Sequence, residues 1–97
     1  MKRLSKKQKE VLSRVFQSVM EDFQDAQFVP EDLFFFLLED ECPGLVDESD
    51  IIKACKLSGA LVVEVNDINY IFPPELNLGK EQAIKMVKNY LGKKDFS

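Results

Sequence analysis

Hydrophobic residues recur at helical spacing in the first quarter of the chain. Ser5 and Gln8 fit a capping box, in which each side chain accepts a hydrogen bond from the other residue's backbone N–H, and this pair predicts a helix start. The apolar residues behind it form one stripe on a helix of about five turns, which we expect to fade near Asp25. The stripe consists of Val11, Leu12, Val15, Phe16, Val19, Met20 and Phe23.

A second helix is predicted from Pro30, because proline suits the first turn, where its missing N–H needs no partner. Glu31 and Asp32 follow, where the positive end of the helix favours anions. Six apolar residues, Leu33 to Leu38, come next without interruption, and Cys42-Pro43-Gly44 ends the helix. Such a run covers the whole circumference. It indicates either a central helix packed on two sides or a helix that presents one phenylalanine to a partner.

A third helix and a hairpin are predicted next. Asp47 can cap the helix, and Ser58-Gly59 can end it, since glycine readily adopts the left-handed conformation. Asn66-Asp67 then lies between two apolar strands, which is typical of a tight hairpin turn. This turn places three apolar cross-strand pairs on one face of the hairpin. The pairs are Val65 with Ile68, Val63 with Tyr70, and Leu61 with Phe72.

The last helix is expected from about Gly79 to Leu91, with Gly92 ending it and residues 93–97 as a frayed tail. Together these elements predict one mostly helical α+β domain over residues 1–97, with one antiparallel hairpin packed on the helices. Its α-α-α-β-β-α order resembles the winged-helix, or winged helix-turn-helix, superfamily. The resemblance covers residues 5–72 and rests on element order and hydrophobic pattern, so helix 79–91 would be an addition to that fold.

Composition narrows the classes of function. The chain of 97 residues has no histidine and two cysteines. A Ser-His-Asp or Cys-His site is therefore impossible, as is a zinc site that needs imidazole. We expect Cys42 and Cys55 to be free thiols. No apolar segment typical of a signal peptide follows the basic start, and the longest apolar run is far shorter than a membrane span. We therefore expect a soluble, intracellular protein, cytoplasmic or nuclear.

Charge is strongly segregated along the chain. The net charge is −4, but residues 1–14 carry +5, residues 15–52 carry −11 and residues 53–97 carry +2. A winged-helix resemblance implies that the third helix enters the DNA major groove. Here that helix begins Asp47-Glu48-Ser49-Asp50, and the hairpin tip has no basic residue. Phosphate binding needs Lys and Arg, so these two elements disfavour DNA as the ligand.

A DNA-binding transcriptional regulator stays an alternative if the basic terminal helices are neighbours and merge into one face. The nucleic-acid contacts would then be Lys2, Arg3, Lys6, Lys7, Lys9, Lys85 and Lys88. Self-association through the Phe-rich helix or the hairpin edge is a third alternative.

The leading hypothesis is a non-enzymatic protein–protein interaction module with an acidic docking surface. We predict no catalytic, cofactor-binding or metal-binding residue and no membrane contact. The partner would be another protein with a basic or amphipathic surface, because an acidic surface steers and docks basic ones. The candidate contact residues are Phe35, Glu39, Asp40, Glu48 and Asp50.

Overall fold

In the described residues, 2–23 and 26–95, the computed structural model has four α-helices and a three-stranded antiparallel sheet. The mostly helical α+β class is therefore confirmed. Side chains are described as far as Gly92. The elements in chain order are α1 (Lys6–Asp22), β1 (Val29–Pro30), α2 (Glu31–Glu41), a 3-10 turn (Glu48–Asp50), α3 (Ile51–Leu57), β2 (Leu61–Val65), β3 (Ile68–Phe72), a second 3-10 turn (Pro74–Leu76) and α4 (Lys80–Asp95).

The predicted capping box starts α1. The Ser5 hydroxyl accepts from the Gln8 backbone N–H at 3.1 Å, and the Gln8 side chain accepts from the Ser5 N–H at 2.9 Å. The Gln8 amide also donates to the Leu45 carbonyl at 3.1 Å, which ties the start of α1 to the loop between α2 and α3. At the other end Phe23 caps the helix. The predicted fading point, Asp25, lies outside the described residues.

The hairpin has the predicted register. All three predicted pairs are present, so the alternation of side chains sets the pairing as expected. Asn66 and Asp67 both have positive φ, 54° and 65°, which defines a turn of the I′ type. This backbone matches the twist of the flanking strands, but it holds two non-glycine residues in the left-handed region.

Glycine at the second turn position should therefore stabilise the hairpin. We expect Asp67→Gly to raise the free energy of unfolding by about 0.5–1 kcal/mol, because glycine adopts positive φ without steric cost. Urea denaturation at neutral pH measures the change. As a control, Glu64→Gly in the adjacent strand should lower stability by about the same amount. A destabilised Asp67→Gly variant would contradict this interpretation of the turn.

The third strand, β1, is a feature that the sequence did not predict. Val29 pairs with Ile71 and Pro30 with Tyr70, so β3 lies between β1 and β2 in the sheet. The expectation of a lone two-stranded hairpin is thus corrected. Pro30 is also the N-cap residue of α2 rather than a residue of its first turn. Two residues are too few for a recognisable strand pattern, and proline is tolerated because β1 is an edge strand.

Two hydrophobic cores lie on opposite faces of the sheet. Side chains from α1, α2 and α3 pack with Val29 and Ile71 on one face. Ala83 and Val87 of α4 pack with the other face, which carries the predicted apolar pairs. Phe28 completes this second core by stacking on Phe72, with ring centroids 4.9 Å apart. The first and last helices therefore cover different faces of one sheet.

The end of α4 differs from the sequence prediction. The helix continues to Asp95 and includes Gly92, which was expected to end it, so residues 93–95 are helical rather than a frayed tail. Glycine inside a helix costs about 1 kcal/mol relative to alanine, which a packed helix can tolerate. Residues 96 and 97 lie outside the described residues.

Candidate docking surface

The six-residue apolar run of α2 is not buried on all sides. Phe34 and Leu38 are fully buried in the first core, and Phe16 packs on Phe34 with ring centroids 5.1 Å apart. Leu33, Phe35 and Leu37 are half-buried at the edges of this contact. Phe36 is 65% exposed. The helix therefore packs through one face and presents a phenylalanine on the opposite one.

Two exposed aspartates lie on either side of Phe36. Asp32 and Asp40 are four residues before and after it, and side chains at this spacing are neighbours on a helix surface. We call Asp32, Phe36 and Asp40 the α2 stripe. Glu39, three residues beyond Phe36, is half-buried and accepts a hydrogen bond from the Gly44 backbone N–H at 3.0 Å. An exposed aromatic ring thus lies among three carboxylates.

The C-terminal end of α2 concentrates negative charge against the helix dipole. Its last turn carries Glu39, Asp40 and Glu41 and has no basic residue. Carboxylates at the negative end of a helix are unfavourable by about 0.3–1 kcal/mol each at low salt. Arg14 of α1 relieves part of this through a 3.2 Å ion pair with Glu41, both side chains being substantially exposed. A cationic group supplied by another molecule would therefore stabilise the Asp40 carboxylate.

The sequence-based candidates fall into two groups in the structure. Glu39 and Asp40 lie beside the exposed aromatic ring, as a docking surface would require. Glu48 and Asp50 lie instead on the 3-10 turn that precedes α3, where Glu48 is exposed and Asp50 is half-buried. Phe35, the aromatic residue chosen from the sequence, packs partly against the first core.

Phe36 replaces Phe35 as the aromatic candidate of this surface. The signal for it was present in the sequence, because aspartates four residues on either side mark the solvent-facing side of a helix. The uninterrupted apolar run concealed that signal.

The predicted basic residues are exposed but divided between two faces. Lys2, Arg3, Lys6, Lys7 and Lys9 surround the start of α1, and Lys85 and Lys88 lie on α4. Because α1 and α4 pack on opposite faces of the sheet, the condition for merging the two clusters, that the first and last helices are neighbours, is not met. The seven basic residues therefore do not form one continuous face on adjacent helices.

The two cysteines are free thiols in different surroundings. Cys42 is half-buried at the end of α2, whereas Cys55 is fully buried in α3. Burial, with a smaller contribution from the Glu31 carboxylate, raises the pKa of Cys55 from its ordinary value of 9.0 to about 12. The thiolate is the reactive form, so Cys55 is chemically protected in the folded protein.

This difference predicts the thiol chemistry of the folded chain. At pH 8 we expect Cys42 to react with an aromatic disulfide reagent and Cys55 to react only after unfolding. Because the folded pKa of Cys55 exceeds the unfolded one, its contribution to stability is complete below pH 9.0 and is lost as the pH rises toward about 12. Two fast-reacting thiols in the native wild type would contradict the burial of Cys55. As a control, Cys42→Ser should remove the fast phase of the reaction with the reagent.

No significant match to this chain was found among protein-family models, curated proteins or solved structures. In the described part of the chain, no helix combines the length and apolar character needed to cross a membrane. Within the same residues, no three His, Cys, Asp or Glu side chains come together as a metal site would require. The function is therefore inferred from the surface of the described residues.

Proposed function

We propose that the protein is a non-enzymatic module with a winged-helix-like fold that binds another protein through the α2 stripe. The observation that carries this proposal is Phe36, 65% exposed between two exposed aspartates. Interfaces commonly place an aromatic anchor at their centre and charged groups around it. The partner would offer an apolar recess for the ring and basic groups for the carboxylates.

Electrostatics supports a basic partner. All five ionisable side chains of α2 are acidic, and none is a base. They are Glu31, Asp32, Glu39, Asp40 and Glu41. Charge complementarity of this kind raises the association rate and rejects acidic partners. A lysine or arginine of the partner could also lie on the exposed ring of Phe36 as a cation–π contact.

The order of elements supports the winged-helix likeness. Apart from the two 3-10 turns, the order is a helix, a short strand, two helices, two further strands and the added helix α4. The 3-10 turn before α3 is acidic, and Asn66-Asp67 at the hairpin tip carries no positive charge. The two elements that a DNA-binding member would use therefore favour a ligand other than DNA. Fold alone does not assign function, and the surface favours a protein partner.

Neutralising the two aspartates tests the proposal. The probe is an amphipathic helical peptide of lysine and leucine, about 18 residues or five turns long. We expect Asp32→Asn/Asp40→Asn to bind it about tenfold more weakly than wild type at about 50 mM salt, where charge interactions are least screened. The control, Glu64→Gln/Glu81→Gln, removes the same charge from exposed sites outside α2 and should bind like wild type. Fluorescence anisotropy measures both affinities.

Three results would contradict the proposal. Wild type could fail to bind the peptide at low salt, or the control could lose as much affinity as the α2 variant, which would indicate attraction to net charge alone. Alternatively, duplex DNA could bind at about 50 mM salt with a steep salt dependence. That last result would favour the nucleic-acid alternative, and Lys6→Gln/Lys9→Gln and Lys85→Gln/Lys88→Gln would show which basic cluster is responsible.

A further inference from the structure

A cavity of about 300 Å³ lies between α1, the end of α3 and the second 3-10 turn. Phe16, Leu57 and Pro74 supply apolar lining, and Lys9, Ser13 and Glu75 supply polar groups. Leu57 is 42% exposed, so its side chain is accessible at the mouth of the cavity. The site is an open groove with polar as well as apolar lining. A closed apolar cavity of about 150 Å³ holds a benzene molecule, so a phenyl ring fits this larger volume.

Three exposed lysines lie in the lining of this cavity or one helical turn from it, and we call them its rim. Lys9 lines it, Lys6 lies about one turn earlier on the same side of α1, and Lys53 lies one turn before Leu57 on α3. Glu75 is the one acidic residue in the lining. The first turn of α1 contains no acid, so its lysines oppose the positive end of the helix dipole. Nearby carboxylates would therefore stabilise the lysines of the rim, just as nearby cations would stabilise the carboxylates at the end of α2.

The cavity and the end of α2 lie on opposite flanks of α1. Arg14, which pairs with Glu41 of α2, is about 140° around the helix from Lys9 at 3.6 residues per turn. The buried stripe of α1 separates the two flanks, with Val11 on the Arg14 side and Phe16 on the Lys9 side. One molecule can therefore present both surfaces at once, and they do not close on each other.

We propose that the partner of the α2 stripe is a second copy of this chain. Phe36 of one molecule enters the cavity of the next, while Asp32 and Asp40 face the lysines of its rim. This proposal rests on the proposed function and names its partner. The two contacting surfaces differ, so the association is head-to-tail and leaves a free stripe and a free cavity at the ends.

Complementary variants test this arrangement through mass in solution. We expect the average mass of wild type to rise with concentration in sedimentation equilibrium and to fall toward the monomer at high salt. Phe36→Ala should weaken self-association by about 30-fold, the loss typical of an interface anchor. Lys9→Glu/Leu57→Glu, which changes only exposed cavity residues, should weaken it similarly. Circular dichroism and urea denaturation check that both variants fold.

The decisive step mixes the two variants. Phe36→Ala keeps an intact cavity, and Lys9→Glu/Leu57→Glu keeps an intact stripe, so an equimolar mixture should form dimers and nothing larger. A mixture that stays monomeric would overturn the head-to-tail arrangement. So would self-association of wild type that survives Phe36→Ala. If wild type stays monomeric while the lysine–leucine peptide binds in a Phe36-dependent way, the second copy is rejected and the proposed docking function stands.

Discussion

Phe34→Ala is expected to lower the free energy of unfolding by about 3–5 kcal/mol, the range for large-to-small changes of buried aromatics. Phe34 is fully buried, and its ring packs on Phe16 at a centroid distance of 5.1 Å and a tilt of 38°. Alanine would leave a cavity between α1 and α2, the two helices that this contact joins. For a domain of this size the total stability is about 5–15 kcal/mol, so the loss is a large share of it.

The neighbouring Phe36→Ala is the matched control, since it makes the same chemical change two residues further along the same helix. It should change stability by less than about 0.5 kcal/mol, because an exposed ring contributes little to the core. Urea denaturation at 25 °C measures both variants, and a shifted midpoint at constant slope reports stability. Comparable losses at both positions would show that α2 is packed on two sides and that the stripe is not a free surface.

The same Phe36→Ala change should have a large effect on binding. We expect the affinity for the lysine–leucine peptide to fall about 30-fold, because truncating a central aromatic anchor commonly costs 2 kcal/mol or more. The ring is already exposed in the free protein, so its burial against the partner is new on binding. Fluorescence anisotropy at low protein concentration measures the loss without interference from self-association.

Ile68→Ala serves as the control for general apolar attraction. Ile68 is 46% exposed on the hairpin and lies outside α2. Its truncation should leave peptide affinity within about twofold, since isolated exposed apolar residues are common and rarely anchor an interface. Equal weakening by the two alanine variants would mean that the peptide binds any exposed apolar side chain.

The hairpin was predictable from the sequence because its information is local. A two-residue turn between alternating apolar residues leaves one register that gathers Leu61, Val63 and Val65 on one face. The structure has that register. The start of α1 was predictable for the same reason, since the partners in the capping box are only three residues apart.

Other elements depend on contacts that are distant in sequence. β1 has two residues, and it exists because Val29 and Pro30 lie against the middle of β3, about forty residues later in the chain. Which face of the sheet α4 covers is likewise a tertiary property. That placement puts the two basic clusters on different faces of the sheet. From the sequence, merging of the clusters could be stated only on the condition that the first and last helices are neighbours.

The candidate site was partly predictable. Charge segregation drew attention to the acidic segment around Glu39 and Asp40, which lies beside the exposed Phe36, but it did not point to the aromatic residue between the aspartates. A continuous apolar run has no helical period, so Phe35 and Phe36 could not be ranked from the run itself. Packing against Phe16 settles the orientation of α2, and the orientation exposes Phe36.

Mapping the bound peptide by amide chemical shifts tests most directly whether α2 is the docking surface. Nitrogen-15-labelled protein is titrated with the lysine–leucine peptide at about 50 mM salt, where the charge attraction is strong. We expect the largest shifts on Asp32, Phe36 and Asp40 and on the turn that follows α2. Shifts centred on the hairpin tip or on α4, with those of the α2 stripe unchanged, would contradict it.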